Sequence, residues 1–256
     1  MTEKKNGSRP AALGFDLTGK RVVVVGGKTG VGLGVAVAAH AAGAAVVVAS
    51  RRSFSEADHP EVADLEQIVL DVEDEDAVRD AFKTIGTLDH LVVAAGPAMG
   101  TWGAFSDTDM GGVRHYTDGK FFGSWACARY ASDGIAADGS ITFLTGGTAV
   151  RSKVGLAAVT SVFSAVEALG RSLALELGPV RVNTLRAGFI DTPFWDFLTE
   201  AQATEVRQKV GDKFPVRRVG TPADIGHAAV FLMTNPYVTG TVIEVSGGEL
   251  LVDWVF

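Results

Sequence analysis

The sequence has few residues of the types that build disulfide, metal or nucleic-acid sites. Its 256 residues include one cysteine, Cys127, which excludes a disulfide framework and a cysteine-rich metal site. The five histidines show no metal-ligand spacing, so no metal is expected. The 23 basic and 30 acidic side chains give a net charge of -7, which argues against nucleic-acid binding. A Gly-x-Ser-x-Gly motif, typical of many hydrolases, is also missing.

Membrane and export signals are scarce as well. Residues 1–16 are polar and lack the apolar core of a signal peptide, so we expect them to form a flexible arm. Residues 31–49 most resemble a membrane span, but His40 and Gly43 interrupt them. A helix that ends near Gly43, followed by a buried strand, explains this stretch better. We therefore expect a cytoplasmic protein with no membrane partner.

Short apolar runs alternate with helical patterns along the chain. Residues 21–25 form a β-branched run without polar alternation, which predicts a strand buried on both faces of a parallel sheet. Further strands are predicted at residues 45–49, 68–70, 88–94, 140–144, 180–185 and 241–245. Helices are predicted at residues 32–42, 73–85, 113–131, 156–177 and 221–234.

The order of these elements implies right-handed βαβ units. The length fits one large α/β domain or two small ones, and no linker or repeat divides the chain. We therefore predict a single domain over residues 17–256. Its fold would be a doubly wound parallel sheet, the Rossmann fold.

Residues 190–218 break the alternation of strands and helices. They begin with an apolar, aromatic group, Phe194, Trp195, Phe197 and Leu198, and continue into a polar helix. An aromatic insertion after the carboxyl end of a strand is typical of a lid over a ligand crevice. A helix pair packed on the flank of the domain is the alternative.

A glycine-rich turn directly follows the first predicted strand. Its residues are Gly26, Lys28, Thr29, Gly30, Val31 and Gly32. The three glycines let the backbone approach a pyrophosphate, and the N-terminus of the next helix favours negative charge. The turn therefore predicts a dinucleotide site. Part of it resembles the phosphate loop of an NTPase, but Val22 stands where that loop requires its first glycine.

The end of the second predicted strand distinguishes between two cofactors. An acidic residue there would accept a hydrogen bond from the ribose 2′-hydroxyl of NAD, but this strand ends in Ser50, Arg51 and Arg52. Arginine matches a 2′-phosphate, and Lys28 adds positive charge, so NADP(H) is the expected cofactor. The alternative is that these cations are solvated loop residues.

Two further strand ends extend the predicted cofactor site. Asp71, followed by Val72, could accept a hydrogen bond from the adenine amino group, or it could cap the next helix. Ala94, Ala95 and Gly96 have small side chains or none, which permits close approach of the cofactor ribose.

Together these residues resemble the short-chain dehydrogenase/reductase superfamily. Residues 88–96 resemble its LD-LVNNAG strand with both asparagines missing, residues 167–177 its long interface helix, residues 180–193 its IRVNAVSPGFIDTP segment and residues 239–248 its TG-VI-VDGG segment. The resemblance covers residues 17–252. It implies an oxidoreductase with a small-molecule substrate that forms a homodimer or homotetramer. It also extends the cofactor site to Gly188, Ile190 and Thr192.

The family uses an Asn, a Ser, a Tyr and a Lys for catalysis, and the resemblance finds none of them here. The tyrosine position falls on Val159, the lysine on Phe163, the serine on Gly146 and the asparagine on Lys120. Residues 156–177 contain neither Tyr nor Lys, so shifting the alignment does not restore the pair. The family's usual proton transfer cannot be carried over.

Lys120, Thr145, Lys153 and Arg186 are candidate replacements. Lys120 lies in an apolar, aromatic helix segment where desolvation would lower the pKa of its amine into a useful range; alternatively the amine reaches the surface. Thr145 could hydrogen-bond a carbonyl, and Arg186 could offset negative charge on a substrate or phosphate. Tyr116 could reach the crevice or serve only in packing.

Three functions are compatible with a sequence that keeps the predicted cofactor-binding residues and lacks the family's catalytic acid. The first is an NADP(H)-dependent oxidoreductase acting on a reactive carbonyl, imine or activated alkene, substrates that need less proton assistance. The second is a non-redox isomerase or cyclase that uses the cofactor as a wall of its pocket. The third is a binding protein that senses NADP(H). We expect the first.

Overall fold

The computed structural model describes residues 14–53, 62, 65–97 and 102–253. Of the arm expected at residues 1–16, residues 1–13 lie outside the described residues. The described residues form one α/β domain.

Seven parallel strands form one sheet within the described residues. They are β1 (Arg21–Val25), β2 (Ala45–Ser50), β3 (Glu66–Val69), β4 (Leu88–Val93), β5 (Ile135–Gly146), β6 (Arg181–Ala187) and β7 (Val242–Val245). Their order across the sheet is β3-β2-β1-β4-β5-β6-β7. This is the doubly wound arrangement that the sequence predicts.

Helices cover both faces of the sheet. They are α1 (Gly30–Ala41), α2 (Glu75–Ile85), α3 (Met110–Thr117), α4 (Gly123–Ala131), α5 (Ala157–Glu176), α6 (Glu200–Lys213) and α7 (Pro222–Thr234). Val22 and Val24 of β1 pack with α1 and α7, and Val23 and Val25 pack with α2, α4 and α5. All four valines are at most 1% exposed, which confirms a strand buried on both faces.

Several element boundaries differ from the predicted ones. Strand β5 begins five residues before the predicted 140, because Ile135 pairs with Leu88 ahead of an irregularity in the ladder. Strand β3 ends at Val69, and Leu70 follows it. Helix α2 begins at Glu75 because the carboxylate of Asp74 accepts the N–H of Ala77 and caps it.

The helix predicted at residues 113–131 has three consecutive parts. Helix α3 continues into a π-helical turn, Asp118–Phe122, and then into α4. In this turn the N–H of Gly123 reaches the carbonyl of Asp118. Such a turn changes the direction in which the side chains of a helix point, and it is frequent at functional sites.

Helix α5 is the one described helix that is long and apolar enough to cross a membrane, judged by length and composition. The stretch that most resembles a membrane span in the sequence, residues 31–49, instead lies in α1, the turn after it and β2. Val166 and Leu169 of α5 are buried against the sheet, and a core helix meets the same criterion of length and composition.

The strand order reverses between β1 and β4. From β1 the chain builds the sheet outwards through β2 and β3, and from β4 it builds in the other direction. The loops that follow β1 and β4 therefore separate at the carboxyl edge of the sheet and open a crevice there.

Candidate active site

A cavity of about 1310 Å³ lies at the carboxyl ends of the central strands. Its walls come from the turns after β1, β2, β3, β4, β5 and β6, and from α5. Every residue predicted to bind the cofactor lines it. So do Lys120, Thr145 and Lys153, whereas Arg186 is not part of its lining.

The glycine turn after β1 packs directly on the end of β4. Gly26 has a φ of +83°, and a Cβ atom built there would lie 2.5 Å from the backbone nitrogen of Ala95. A Cβ atom at Gly32 would lie 2.1 Å from the carbonyl oxygen of Gly26. No side chain fits at either position, so the turn presents bare backbone to the cavity.

Helix α1 points its N-terminus into the same part of the cavity. The side chain of Thr29 does not cap it, and its first turn contains no acidic residue. The N–H groups and the positive end of the helix dipole are therefore left for an anion. This arrangement fits a pyrophosphate.

Positive side chains line the cavity beyond this turn. Arg51 and Arg52 follow β2, and Lys28 lies in the glycine turn. The amine of Lys28 donates to the carbonyl of Ser53 at 2.6 Å, and the hydroxyl of Ser50 donates to the carbonyl of Arg52 at 2.7 Å. These bonds hold the turn in place, so the cations stay at one end of the cavity.

Asp71 lies on the wall next to this positive end. Its carboxylate accepts the N–H of Glu73 at 3.2 Å. Since Asp74 is the residue that caps α2, capping of that helix is not the role of Asp71. With Val72, it faces the cavity where an adenine would lie if the pyrophosphate is at α1.

Lys120 is buried in the central part of the wall. It lies in the π-helical turn, is 5% exposed, and its amine donates to the carbonyl of Ala95 at 3.0 Å. No carboxylate of the described residues is within ion-pair distance of this amine. Burial lowers the pKa of Lys120 to about 8. The amine therefore does not reach the outer surface, and it is a stronger acid than an ordinary lysine.

The opposite wall is apolar. Val159 and Phe163 are one turn apart on α5, and both line the cavity. A Cβ atom built on Gly146 would lie 2.8 Å from the ring of Phe163. The Phe163 ring thus occupies the space that a side chain at position 146 would need. The glycine at the family's serine position and the phenylalanine at its lysine position are therefore sterically linked.

Arg186 lies behind this wall, where it is paired with a buried carboxylate. Its Nε and Nη2 atoms donate to the two oxygens of Glu167 at 2.9 and 2.8 Å, and its Nη1 lies 3.6 Å from Glu244. The hydrogen bonds to Glu167 raise the pKa of Arg186 further. This placement corrects the prediction that Arg186 acts on a substrate or phosphate, because its charge is neutralised outside the cavity.

Thr145 lies beside Arg186 in the β5–β6 ladder and does line the cavity. Its hydroxyl donates to the same Glu167 carboxylate at 3.1 Å. The hydroxyl proton predicted to bond a substrate carbonyl is therefore already used within the protein.

Aromatic side chains surround the far end of the cavity. Trp102 lies 5.9 Å from Phe194 and 6.3 Å from Trp195, measured between ring centroids. Near them the amine of Lys153 pairs with Glu249 at 3.2 Å. This end suits a ligand with a flat apolar body.

The segment predicted as a lid divides into two parts. The short helix Pro193–Trp195 contributes Phe194 and Trp195 to the cavity wall. Helix α6 packs on the flank instead, through Val210 and Phe214 against Phe189. The first part fits the lid interpretation and the second fits the flanking helix.

Comparison with known proteins agrees with this geometry. A family model described as Enoyl-(Acyl carrier protein) reductase matches residues 25–249. The chain belongs to the short-chain dehydrogenase/reductase family. A short-chain dehydrogenase/reductase of Gibberella fujikuroi, fsr5, is 28% identical over 92% of this chain and 96% of its own. The 7alpha-hydroxysteroid dehydrogenase of Escherichia coli is 28% identical over 91% of this chain and 94% of its own.

Solved structures of the family have the same fold. A small-chain dehydrogenase in complex with NADPH superposes with a TM-score of 0.78, at 29% identity over 91% of this chain and 99% of its own. The MalC Reductase/Diels-Alderase of Malbranchea aurantiaca superposes with a TM-score of 0.83, at 25% identity over 92% of this chain and 98% of its own. The chain is accordingly an oxidoreductase of the short-chain dehydrogenase/reductase type.

Two residues at this short-chain dehydrogenase/reductase site were not among the candidate catalytic residues predicted from the sequence. Glu167 follows Val159 and Phe163 on the same face of α5, a spacing that could have pointed to it. Tyr116 lines the cavity four residues before Lys120, and the sequence alone could not distinguish lining from packing.

Replacing Arg186 with Met should destabilise the protein, because it leaves the Glu167 carboxylate buried without its cation. We expect the free energy of unfolding in urea to fall by about 3–5 kcal/mol. The matched control is Arg129→Met, which breaks an exposed pair with Asp133 and should change the stability by less than about 1 kcal/mol. Equal effects of the two substitutions would contradict the role of the buried pair.

Proposed function

We propose that this protein is an NADP(H)-dependent reductase of a reactive carbonyl, imine or activated alkene. The observation that carries the proposal is a single cavity that joins a cationic end to an aromatic end, with one buried amine between them. The relative solved with NADPH supports the cofactor assignment. Val159 and Phe163 provide no acid in the apolar wall, and a reactive substrate is the kind that needs the least proton assistance.

The residues present fit NADP(H). The bare backbone at Gly26 and the N-terminus of α1 would hold the pyrophosphate, and Arg51, Arg52 and Lys28 would hold a 2′-phosphate. When bound, the reduced nicotinamide supplies a hydride to an electrophilic carbon. The protein must orient the substrate and supply a proton to the atom that becomes negative.

Lys120 is the group we assign to that proton. Its amine is buried in the wall, and with a pKa of about 8 it is mainly protonated at neutral pH. A donor whose pKa lies near the working pH is efficient in general acid catalysis. Thr145 and Arg186 cannot serve, because both are committed to Glu167.

A second candidate function is a non-redox isomerase or cyclase that uses the cofactor as part of its pocket. The apolar wall of Val159 and Phe163 favours it, and a structural relative is named both a reductase and a Diels-Alderase. Turnover that proceeds equally with NADP⁺ and NADPH would support this function. Turnover that consumes NADPH would support the reductase.

We also propose that the protein is a homodimer or homotetramer. Phe122 and Trp125, at and beyond the π-helical turn, are 57% and 51% exposed, and Leu175 on α5 is 88% exposed. Such apolar area on neighbouring helices is typical of a subunit interface. Light scattering on the purified protein should give a mass of two or four chains, and a monomeric mass would contradict the assignment.

Replacing Arg51 with Asp should remove the preference for NADPH over NADH, since a carboxylate repels a 2′-phosphate. We expect the ratio of the two dissociation constants, measured by calorimetry, to change by about 10- to 100-fold. Arg129→Asp makes the same charge change away from the cavity and should leave the ratio as it is. An unaltered ratio in the Arg51 variant would remove this residue from the cofactor site.

Replacing Lys120 with Met should lower turnover by about 100-fold or more while NADPH affinity changes little. Methionine keeps the apolar length of the side chain and removes only the amine. In the reductive direction the ammonium is the active form, so the wild-type rate should be constant at low pH and fall as pH rises through about 8.

That decrease with pH should be missing from the residual activity of the Lys120→Met variant. Lys83→Met, at an exposed position on α2, is the control and should behave like the wild type. A wild-type rate in the Lys120 variant would show that another group supplies the proton.

A further inference from the structure

The cavity wall contains a buried phenol, that of Tyr116, which has no role in the proton transfer assigned to Lys120. Tyr116 lies on α3, is 6% exposed and lines the cavity. It packs with Val159 and Val162, and its ring centroid lies 6.4 Å from that of Phe163. The phenol therefore stands against the apolar wall of α5, opposite the positions from which the family's usual acid is missing.

The hydroxyl of Tyr116 forms no hydrogen bond with any other described residue. Burial also raises the pKa of this phenol, so it stays protonated and keeps its donor across the neutral range. Buried tyrosine hydroxyls normally have a partner, because an unmade hydrogen bond destabilises the folded state. Since none of the described residues supplies that partner, we infer that a ligand in the cavity does.

Two other donors of the cavity lining already have a partner or a role. The Thr145 hydroxyl donates its one proton to Glu167, and the Lys120 amine, one of whose N–H groups donates to the carbonyl of Ala95, is the group assigned to proton transfer. Gly146, Val159 and Phe163 have no polar side-chain atoms. Tyr116 therefore offers the cavity a neutral O–H group with no hydrogen-bond partner among the described residues.

We propose that Tyr116 donates a hydrogen bond to the carbonyl oxygen of the substrate, and that the substrate is a ketone on a flat, largely apolar ring system. The ring would lie among the aromatic side chains that line the cavity, namely Trp102, Phe163, Phe194 and Trp195. Tyr116 and Lys120 are one turn apart on the same continuous helical segment, so one orients the oxygen and the other supplies the proton. The inference deepens the proposed function and rests on it for the identity of the reacting group.

The test compares a bicyclic aromatic ketone, α-tetralone, with tetralin, which has the same rings and no carbonyl. Calorimetric titrations are made with and without NADP⁺, on the wild type, on Tyr116→Phe and on Tyr237→Phe. Tyr237 is 96% exposed and provides the matched control.

We expect Tyr116→Phe to weaken α-tetralone binding by about 5- to 10-fold and to leave tetralin binding as it is. Tyr237→Phe should match the wild type with both compounds. Equal α-tetralone affinity in the wild type and the Tyr116 variant would overturn the inference, and so would no binding of α-tetralone to the wild type.

Thermal unfolding gives a second measurement. Because the hydroxyl has no partner among the described residues, Tyr116→Phe should unfold at the same or a higher temperature. A lower temperature would show a structural hydrogen bond and overturn the inference. Failure of the proposed function would be seen separately, as wild-type protein that binds α-tetralone but consumes no NADPH with any carbonyl, imine or enone.

Discussion

The close contact between the turn after β1 and the end of β4 is the constraint on which the site depends. The N–H groups of Ala94 and Ala95 both donate to the carbonyl of Val25, at 2.8 and 3.0 Å. This brings Gly26 so near to Ala95 that only a residue without a Cβ atom fits. The contact lies where the strand order reverses, and it defines the floor of the cavity.

The same contact joins the two halves of the proposed reaction. On one side the turn exposes backbone to the part of the cavity that suits a pyrophosphate. On the other side the carbonyl of Ala95 accepts the hydrogen bond from the Lys120 amine. A shift of β4 relative to β1 would therefore displace both the cofactor cradle and the amine, so the two are positioned by one backbone arrangement.

The fold and the cofactor cradle could be predicted from the sequence because they depend on local patterns. A run of valines at residues 22–25 specifies a doubly buried strand, and glycines at fixed spacing specify the turn that follows. The residues lining the cavity at the ends of β1, β2, β3 and β4 follow from the parallel topology alone. The start of β5 was missed because its first residues, Ile135 to Gly139, include Asp138 and Gly139, which are unusual in strands.

The central part of the site could not be predicted in the same way, because it depends on partners distant in sequence. Whether Arg186 faces the cavity is decided by Glu167, which lies 19 residues away on α5. The direction of Lys120 is decided by the π-helical turn, which has no clear signal in the sequence. Whether Tyr116 serves in packing or in binding depends on which acceptors surround its hydroxyl, and those come from several separate segments of the folded chain.

Two cations near the cavity, Arg186 and Lys120, differ in their partners, and the difference shows why the proton transfer is assigned to Lys120. Arg186 meets a carboxylate, so its charge is neutralised and its pKa rises, which makes it useless as an acid. Lys120 meets only a carbonyl, so desolvation dominates and its pKa falls to about 8. Arg186 is thus neutralised behind the apolar wall, whereas Lys120, in the wall opposite, has no carboxylate of the described residues within ion-pair distance, stays mainly protonated at neutral pH and can still give up its proton.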